Sequence, residues 1–217
     1  MPKRMYGQVC PIARSLDVLG ERWTLLIVRE LLLGPKRFKE LLARLPAMGT
    51  NRLAERLQLL EHSGVVARRA LPAAADVRAY ELTAYGERLR PLLAELAAWG
   101  SRLPMDDDVD PATLRAELIA LYLTEHSAPE DSRGLHETYQ FQVGDEVFHV
   151  VADDGTAYAR SGPAPTPADL TVTCDLATFD GLTRGCPPAA DTLTTTGDPA
   201  LLTHAFQVLR HPGPPAP

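Results

Sequence analysis

The side chains best suited to chemistry in this chain form a row of hydrogen-bonding groups: Asn51, Arg52, Glu55 and Gln58, with Thr50 ahead of them and Arg56 on the flank. Amide, guanidinium and carboxylate groups are the types that read base edges in a major groove. Between them Leu53, Leu57 and Leu60 recur at the period of one buried helical stripe. Thr50 is expected to cap this helix and Gly64 to close it in a left-handed conformation. Most helices with such a pattern are plain surface helices, so the neighbours decide. Lys36, Arg37 and Lys39 precede the row and Arg68, Arg69 and Arg78 follow it, cations suited to phosphate neutralisation. Glu55 reads either as a cytosine contact or as a group that repels wrong bases.

Cys10 is the reactive candidate, because it stands at a helix start, where the partial positive end of a helix favours a thiolate. The competing reading is a small, inert hydrophobe. Cys174 and Cys186 carry no functional reading. No His pairs with Cys or another His at ligand spacing, so no metal is expected. Phosphate-loop, dinucleotide and nucleophile-elbow motifs do not occur, and the chain reads as a non-enzyme without cofactor.

These residues must be held by folded elements, and 217 residues are enough for two small domains. No apolar run reaches the ~20 residues that span a bilayer, no signal peptide is apparent, and three cysteines fit a reducing cytoplasm. The net charge of −6 conceals an asymmetry. Residues 1–104 hold 17 Lys and Arg against 10 Asp and Glu, a balance of +7, while the remainder holds 5 against 18, a balance of −13. A basic half suggests a polyanion as its partner.

The first half reads as helices over residues 10–20, 22–33 and 37–45, a short turn at 46–49, and the helix described above. Ile12, Leu16 and Leu19 are expected to point inward from the first. Two helices joined by about four residues, the second polar outside, make a helix-turn-helix. Strands follow at 65–71 and 78–83, with a loose loop at 72–77. A basic hairpin after a helix-turn-helix is a wing, which lies along phosphates or in a minor groove. Thr83 then caps a long helix over 84–103, whose Leu89, Leu92, Leu93, Leu96, Trp99 and Leu103 form a stripe for a two-fold partner.

The segments CPIARSLDVLGERWTLLIVRELLLGPKRFKELLARLP, NRLAERLQLLEHSGVVARR and YELTAYGERLRPLL resemble the HxlR-type winged-helix regulators, which are related to the MarR family. The resemblance covers residues 6–103. It implies a homodimeric, sequence-specific regulator of transcription bound to double-stranded DNA, a repressor more often than an activator. Some HxlR-type regulators resemble thiol switches through a cysteine at the place of Cys10.

Residues 105–111 read as a linker. Beyond it a helix is expected over 110–125, with Leu114, Leu118, Leu121 and Tyr122 inward. Strands follow at 135–143, 146–152, 156–160 and 170–174, then a helix at 176–183, a strand at 192–196 and a closing helix after Asp198-Pro199. This is an α+β unit with helices on one antiparallel sheet. The tail 211–217 is expected to be disordered. The runs DLTVTCDLATFDGLTRG and TLTTTGDPALLTHAFQVL resemble the sterol carrier protein-like fold over residues 112–210. That resemblance implies a domain able to enclose an apolar effector. Phe141, Phe148, Tyr158, Phe179 and Phe206 are the candidate lining, with ordinary core as their default role. A rival reading is a carrier of an apolar small molecule that keeps its winged helix only to dimerise.

Overall fold

The computed structural model describes residues 5–71, 74–104 and 109–211, with the backbone alone for 71 and 74–77. Two compact units result, one ending at Leu93 and one starting at Ala94. The change of unit thus comes earlier than the expected boundary at 104/105. Residues 105–108 of the expected linker and 212–217 of the expected tail lie outside the described residues.

In the first unit α1 (Pro11–Leu19), α2 (Thr24–Leu32), α3 (Phe38–Arg44) and α4 (Thr50–His62) enclose Ile27, Val28, Leu31, Leu41, Met48, Leu53, Leu57 and Leu60. Pro11 opens α1 at a position where its missing N–H costs nothing. Leu19 is buried as expected, but Ile12 and Leu16 are exposed and Ala13 takes the inner place. The four-residue spacing groups Ile12 and Leu16 correctly on one face; this chain leaves that face open. α2 starts later than residue 22 because Trp23 holds a left-handed backbone, φ 89°. That conformation is rare for a bulky side chain.

β1 (Val66–Leu71) and β2 (Ala74–Leu82) pair antiparallel, Val66 facing Leu82 and Arg68 facing Tyr80. The hairpin is tighter than a loose 72–77 loop, since β2 already begins at Ala74; Pro72 and Ala73 lie outside the described residues. Lys36 adds a one-residue bridge to β2 by exchanging two backbone hydrogen bonds with Tyr80, at 2.9 and 2.8 Å. A one-residue bridge leaves no periodic pattern, so the sequence gives no sign of it.

Thr83 caps α5 (Ala84–Glu87), accepting from Gly86 N at 3.1 Å. Gly86 is needed because a Cβ there would stand 2.1 Å from the Val65 carbonyl oxygen. The single long helix expected over 84–103 is broken into α5 and α6 (Arg90–Gly100). Pro91 explains the break: it cannot donate to the Glu87 carbonyl, and its ring crowds that group.

Within the second unit Asp110 caps a 3₁₀ turn, Pro111–Thr113, through Ala112 N. Arg115 is extended, so α7 (Ala116–His126) starts afresh instead of continuing from Asp110. In consequence Leu114 is exposed and Leu118 and Tyr122 are only half-buried. Ala116, Ile119, Ala120, Leu121 and Leu123 make the inner face. α8 (Pro129–Ser132) follows, an element without a sequence signal strong enough to expect.

Next come β3 (His136–Val143), β4 (Glu146–Asp153), β5 (Thr156–Ser161), β6 (Leu170–Cys174), α9 (Leu176–Thr183), β7 (Leu193–Gly197) and α10 (Leu201–Val208). The strand order is β5-β4-β3-β6-β7. One ladder corrects the antiparallel expectation: β3 and β6 are parallel. β5 occupies an edge, so the chain must pass β4 and β3 to pair with β3 on its free side. The proline-rich stretch 162–169 makes that crossover. It is tied to β3 where Asp169 exchanges two hydrogen bonds with Thr138, and where Ala164 N donates to Gln140 Oε1.

Phe141, Phe148 and Phe179 are fully buried. Their ring centres lie 5.2–5.6 Å apart, and Phe206 closes the cluster at 6.0 Å from Phe141. Stacked and edge-to-face rings at such distances fill space. Four of the five candidate pocket residues therefore come together as packed core. The fifth, Tyr158, is exposed and stacks under the Arg160 guanidinium at 4.8 Å.

Candidate nucleic-acid interface

The turn between α3 and α4 is pinned by Met48, fully buried, whose N–H donates to the Leu45 carbonyl at 2.9 Å. Leu53, Leu57 and Leu60 are each no more than 1% exposed, which fixes the opposite side of α4 outward. Asn51, Arg52, Glu55 and Gln58 all lie on that outer side. Among the described residues none of the four has a hydrogen-bond or ion-pair partner. The expected Thr50 cap is corrected: Gly49 is the capping position and offers no side-chain acceptor, while Thr50 is the first helical residue. The first-turn N–H groups are thus left to water or to an incoming phosphate. Ala47, Gly49, Thr50, Asn51, Arg52 and Glu55 line an open notch there. Gly64 closes the helix at φ 72°, as its place after a helical stripe requires.

The flanking cations divide into three kinds. Lys36 is corrected outright: it is 4% exposed and its Nζ donates to the Glu30 carbonyl at 2.8 Å, so it braces the fold and does not face solvent. A second group is already paired with carboxylates. Arg37 grips Glu40 at 2.7 and 2.9 Å, Arg68 meets Glu61 at 2.7 Å, and Arg69 meets Glu81 at 3.3 Å. Arg56, 19% exposed, turns from the outer face toward Glu21 at 4.0 Å. Burial pushes the Glu40 carboxyl up, but hydrogen bonds and charge from Arg37 and Lys36 outweigh it, so it titrates below the usual carboxylate range. The third group, Lys39, Arg52 and Arg78, is exposed and without a carboxylate partner among the described residues.

The stripe expected for a two-fold partner also divides. Leu89 and Leu93 turn into the first unit's core. Leu92, Leu96, Trp99 and Leu103 remain exposed. Leu89 and Leu93 lie one turn apart, as do Leu92 and Leu96, so the stripe is split between a covered and an open side.

Residues 18–108 match the family described as HxlR-like helix-turn-helix. The chain is 38% identical over 109 residues to the uncharacterized HTH-type transcriptional regulator YvaP of Bacillus subtilis (strain 168), a span of 50% of this chain and 96% of that protein. The chain belongs to the HxlR-like helix-turn-helix family. HTH-type transcriptional regulator YodB, also of Bacillus subtilis (strain 168), is 38% identical over 99 residues, 45% of this chain and 88% of YodB. The solved reduced form of YodB from B. subtilis is 37% identical, covers 48% of this chain and 100% of that one, and superposes with a TM-score of 0.39. The first unit of this HxlR-like protein is a winged helix-turn-helix, and its second unit is an α+β domain built on one sheet.

Sequence reading assigned no role at the candidate interface to three residues: Met48 under the turn, and Glu61 and Tyr80 beside Arg68. A helix-phase test would have flagged Glu61, which sits one turn beyond Gln58 and seven residues before Arg68. Cys10 stands at the capping position of α1 and is exposed. Cys174 is buried, and burial together with the Asp175 charge raises its thiol to about 11, so it stays protonated and inert at neutral pH.

Proposed function

We propose that this chain is a homodimeric, sequence-specific DNA-binding regulator of transcription, acting first as a repressor. One observation carries the reading: α4 buries three leucines and leaves Asn51, Arg52, Glu55 and Gln58 outward and unpartnered. A row of hydrogen-bonding side chains held outward on a rigid helix can exchange its water for the base edges of an external partner. Arg52 and Asn51 approach bases with α4 in the major groove. Lys39 and Arg78, joined by Arg37, Arg69 and the open first turn of α4, meet phosphates. The relatives' description as HTH-type transcriptional regulators supports the same reading.

The dimer is supported by exposed apolar residues on two elements of the front half. Ile12 and Leu16 lie on α1, and Leu92, Leu96 and Trp99 on α6, with Leu103 just past it. Exposed apolar side chains at helical spacing, taken on each helix by itself, mark interaction sites. A gel shift with a duplex from upstream of the chain's own gene tests DNA binding, and sedimentation at micromolar concentration tests the dimer. No retardation at low salt, or a monomer throughout, would overturn the respective claim.

The second unit is proposed as an effector module with the layout of sterol carrier proteins. Its support is the placement of α7, α9 and α10 on one face of the sheet, through the Glu117–Ser161 contact and the phenylalanine cluster. Because that cluster is packed, an apolar ligand has to displace the half-buried Phe206. Mass spectrometry of co-purified small molecules, then their effect on the gel shift, checks this. Thiol modification at exposed Cys10 is a second route of control. Cys10→Ser should abolish any release from DNA by a quinone or peroxide, and release that persists would remove Cys10 from the scheme.

A further inference from the structure

Arg68 differs from the other wing cations in being held on three sides. Its Nε lies 2.7 Å from Glu61 Oε1 and its Nη2 lies 3.0 Å from Oε2, the two-pronged arrangement of a strong arginine–carboxylate pair. Its guanidinium sits 5.3 Å from the centre of the Tyr80 ring, the residue paired with it across the hairpin. Tyr80 is itself fixed by two backbone hydrogen bonds to Lys36, whose ammonium is anchored on the Glu30 carbonyl. Glu61 belongs to the last turn of α4, and Arg68 lies in β1. The contacts thus run unbroken from the recognition helix through the wing to the end of α2. By comparison Arg69 makes one contact of 3.3 Å with Glu81 and is 56% exposed.

Resting on the DNA-binding reading above, we propose that Glu61 is a positioning residue of the interface. It clips Arg68 against Tyr80, so that recognition helix and wing meet DNA at a fixed angle and Arg68 is withheld from the phosphates. The charge logic is direct. A guanidinium whose fork is filled by a carboxylate is neutralised within the protein and adds no counterion release of its own on DNA. A half-exposed pair of this kind adds little to stability, so its effect falls on geometry. A fixed angle favours the one sequence on which helix and wing both fit. A wing freed from the clip would let Arg68 find a phosphate on any sequence.

The test uses the full-length chain and two duplexes of equal length, one from upstream of its own gene and one of random sequence, titrated over 50–200 mM salt. Glu61→Gln should steepen the salt dependence on the random duplex by a slope of about 0.9, one additional phosphate, and narrow the ratio of the two affinities. Arg68→Ala alone should leave the slope as in the parent, and Glu61→Gln with Arg68→Ala should restore it. Glu61→Ala, which removes the carboxylate without leaving an amide, should repeat the Glu61→Gln result. An unchanged slope in both Glu61 variants, or a slope that flattens when Arg68→Ala is made in the parent, overturns the clip. A parent chain that binds neither duplex overturns instead the DNA reading beneath it.

Discussion

In the first unit Glu40, Glu61, Glu81 and Glu87 each face an arginine. In the second, Asp110, Asp131, Asp154, Asp169, Asp175 and Asp198 accept backbone N–H groups. Glu146 does the same for the first residues of α7, Ala116 and Glu117. The balances of +7 and −13 therefore have different origins. Much of the acidity of the second half is turn and cap chemistry, spent on closing a sheet with many short connections. In the first half Lys39, Arg52 and Arg78 remain without a carboxylate partner among the described residues, beside arginines that are paired internally. The same kind of side chain thus pairs with arginines in one unit and caps backbone in the other.

The largest effect is expected in the core of the second unit, where the phenylalanine rings are packed against one another. Phe141→Ala removes the ring that touches Phe148, Phe179 and Phe206. A loss of about 3–5 kcal/mol in the stability of this unit is expected, read by denaturant titration, with DNA affinity of the folded chain retained. A cost near zero would mean that the space is not filled as described.

Arg52→Ala sharpens the other side. It should remove about 1–3 kcal/mol of discrimination at one base position while leaving random-sequence binding nearly intact. Selection of bound sequences from a random pool measures this, and an unchanged preferred sequence would exclude Arg52 as a reader. A smaller effect is expected at Lys39. Lys39→Ala should lower the salt slope by about 0.9, since Lys39 has no carboxylate partner among the described residues. Arg37→Ala should change it less, because the Glu40 carboxylate already holds that charge. Equal changes at both positions would mean that internal pairing does not grade the cations.

The leucine stripe of α4, the Thr83 cap and the span of α9 were legible because each rests on local periodicity or on one capping side chain. What the sequence left out came from long range. Lys36 reads as a surface cation because neither its bridge to Tyr80, distant in the chain, nor the Glu30 carbonyl that takes its ammonium leaves a local pattern. Ile12 and Leu16 read as core because spacing reports a shared face but not which side is covered. The parallel β3–β6 ladder follows from which edge is free, and no dipeptide encodes that. Within the candidate interface, residue types were legible and their pairing was not. Arg52 and Arg68 look alike in sequence, yet one is free and the other is held by Glu61.

The smallest predicted effect tests the cap chemistry directly. Asp175 accepts from Thr178 N at 2.7 Å, and hydrogen bonds from the Thr178 backbone and side chain hold its carboxyl below the usual 3.8. A carboxyl depressed in the folded state binds its proton more readily when unfolded. Its contribution to stability is therefore complete above the unfolded value of 3.8 and is lost as pH falls through the lower folded value. Asn is as good a cap as Asp but does not titrate. Asp175→Asn should thus melt like the parent at neutral pH and lose less stability below about pH 4. Thermal unfolding followed from pH 7 to pH 3 would show two curves that coincide near neutrality and separate below about pH 4, with the parent falling further. Parallel curves would mean that the Asp175 carboxylate does no more for α9 than an amide does, and the contrast between caps in one unit and pairs in the other would lose its clearest instance.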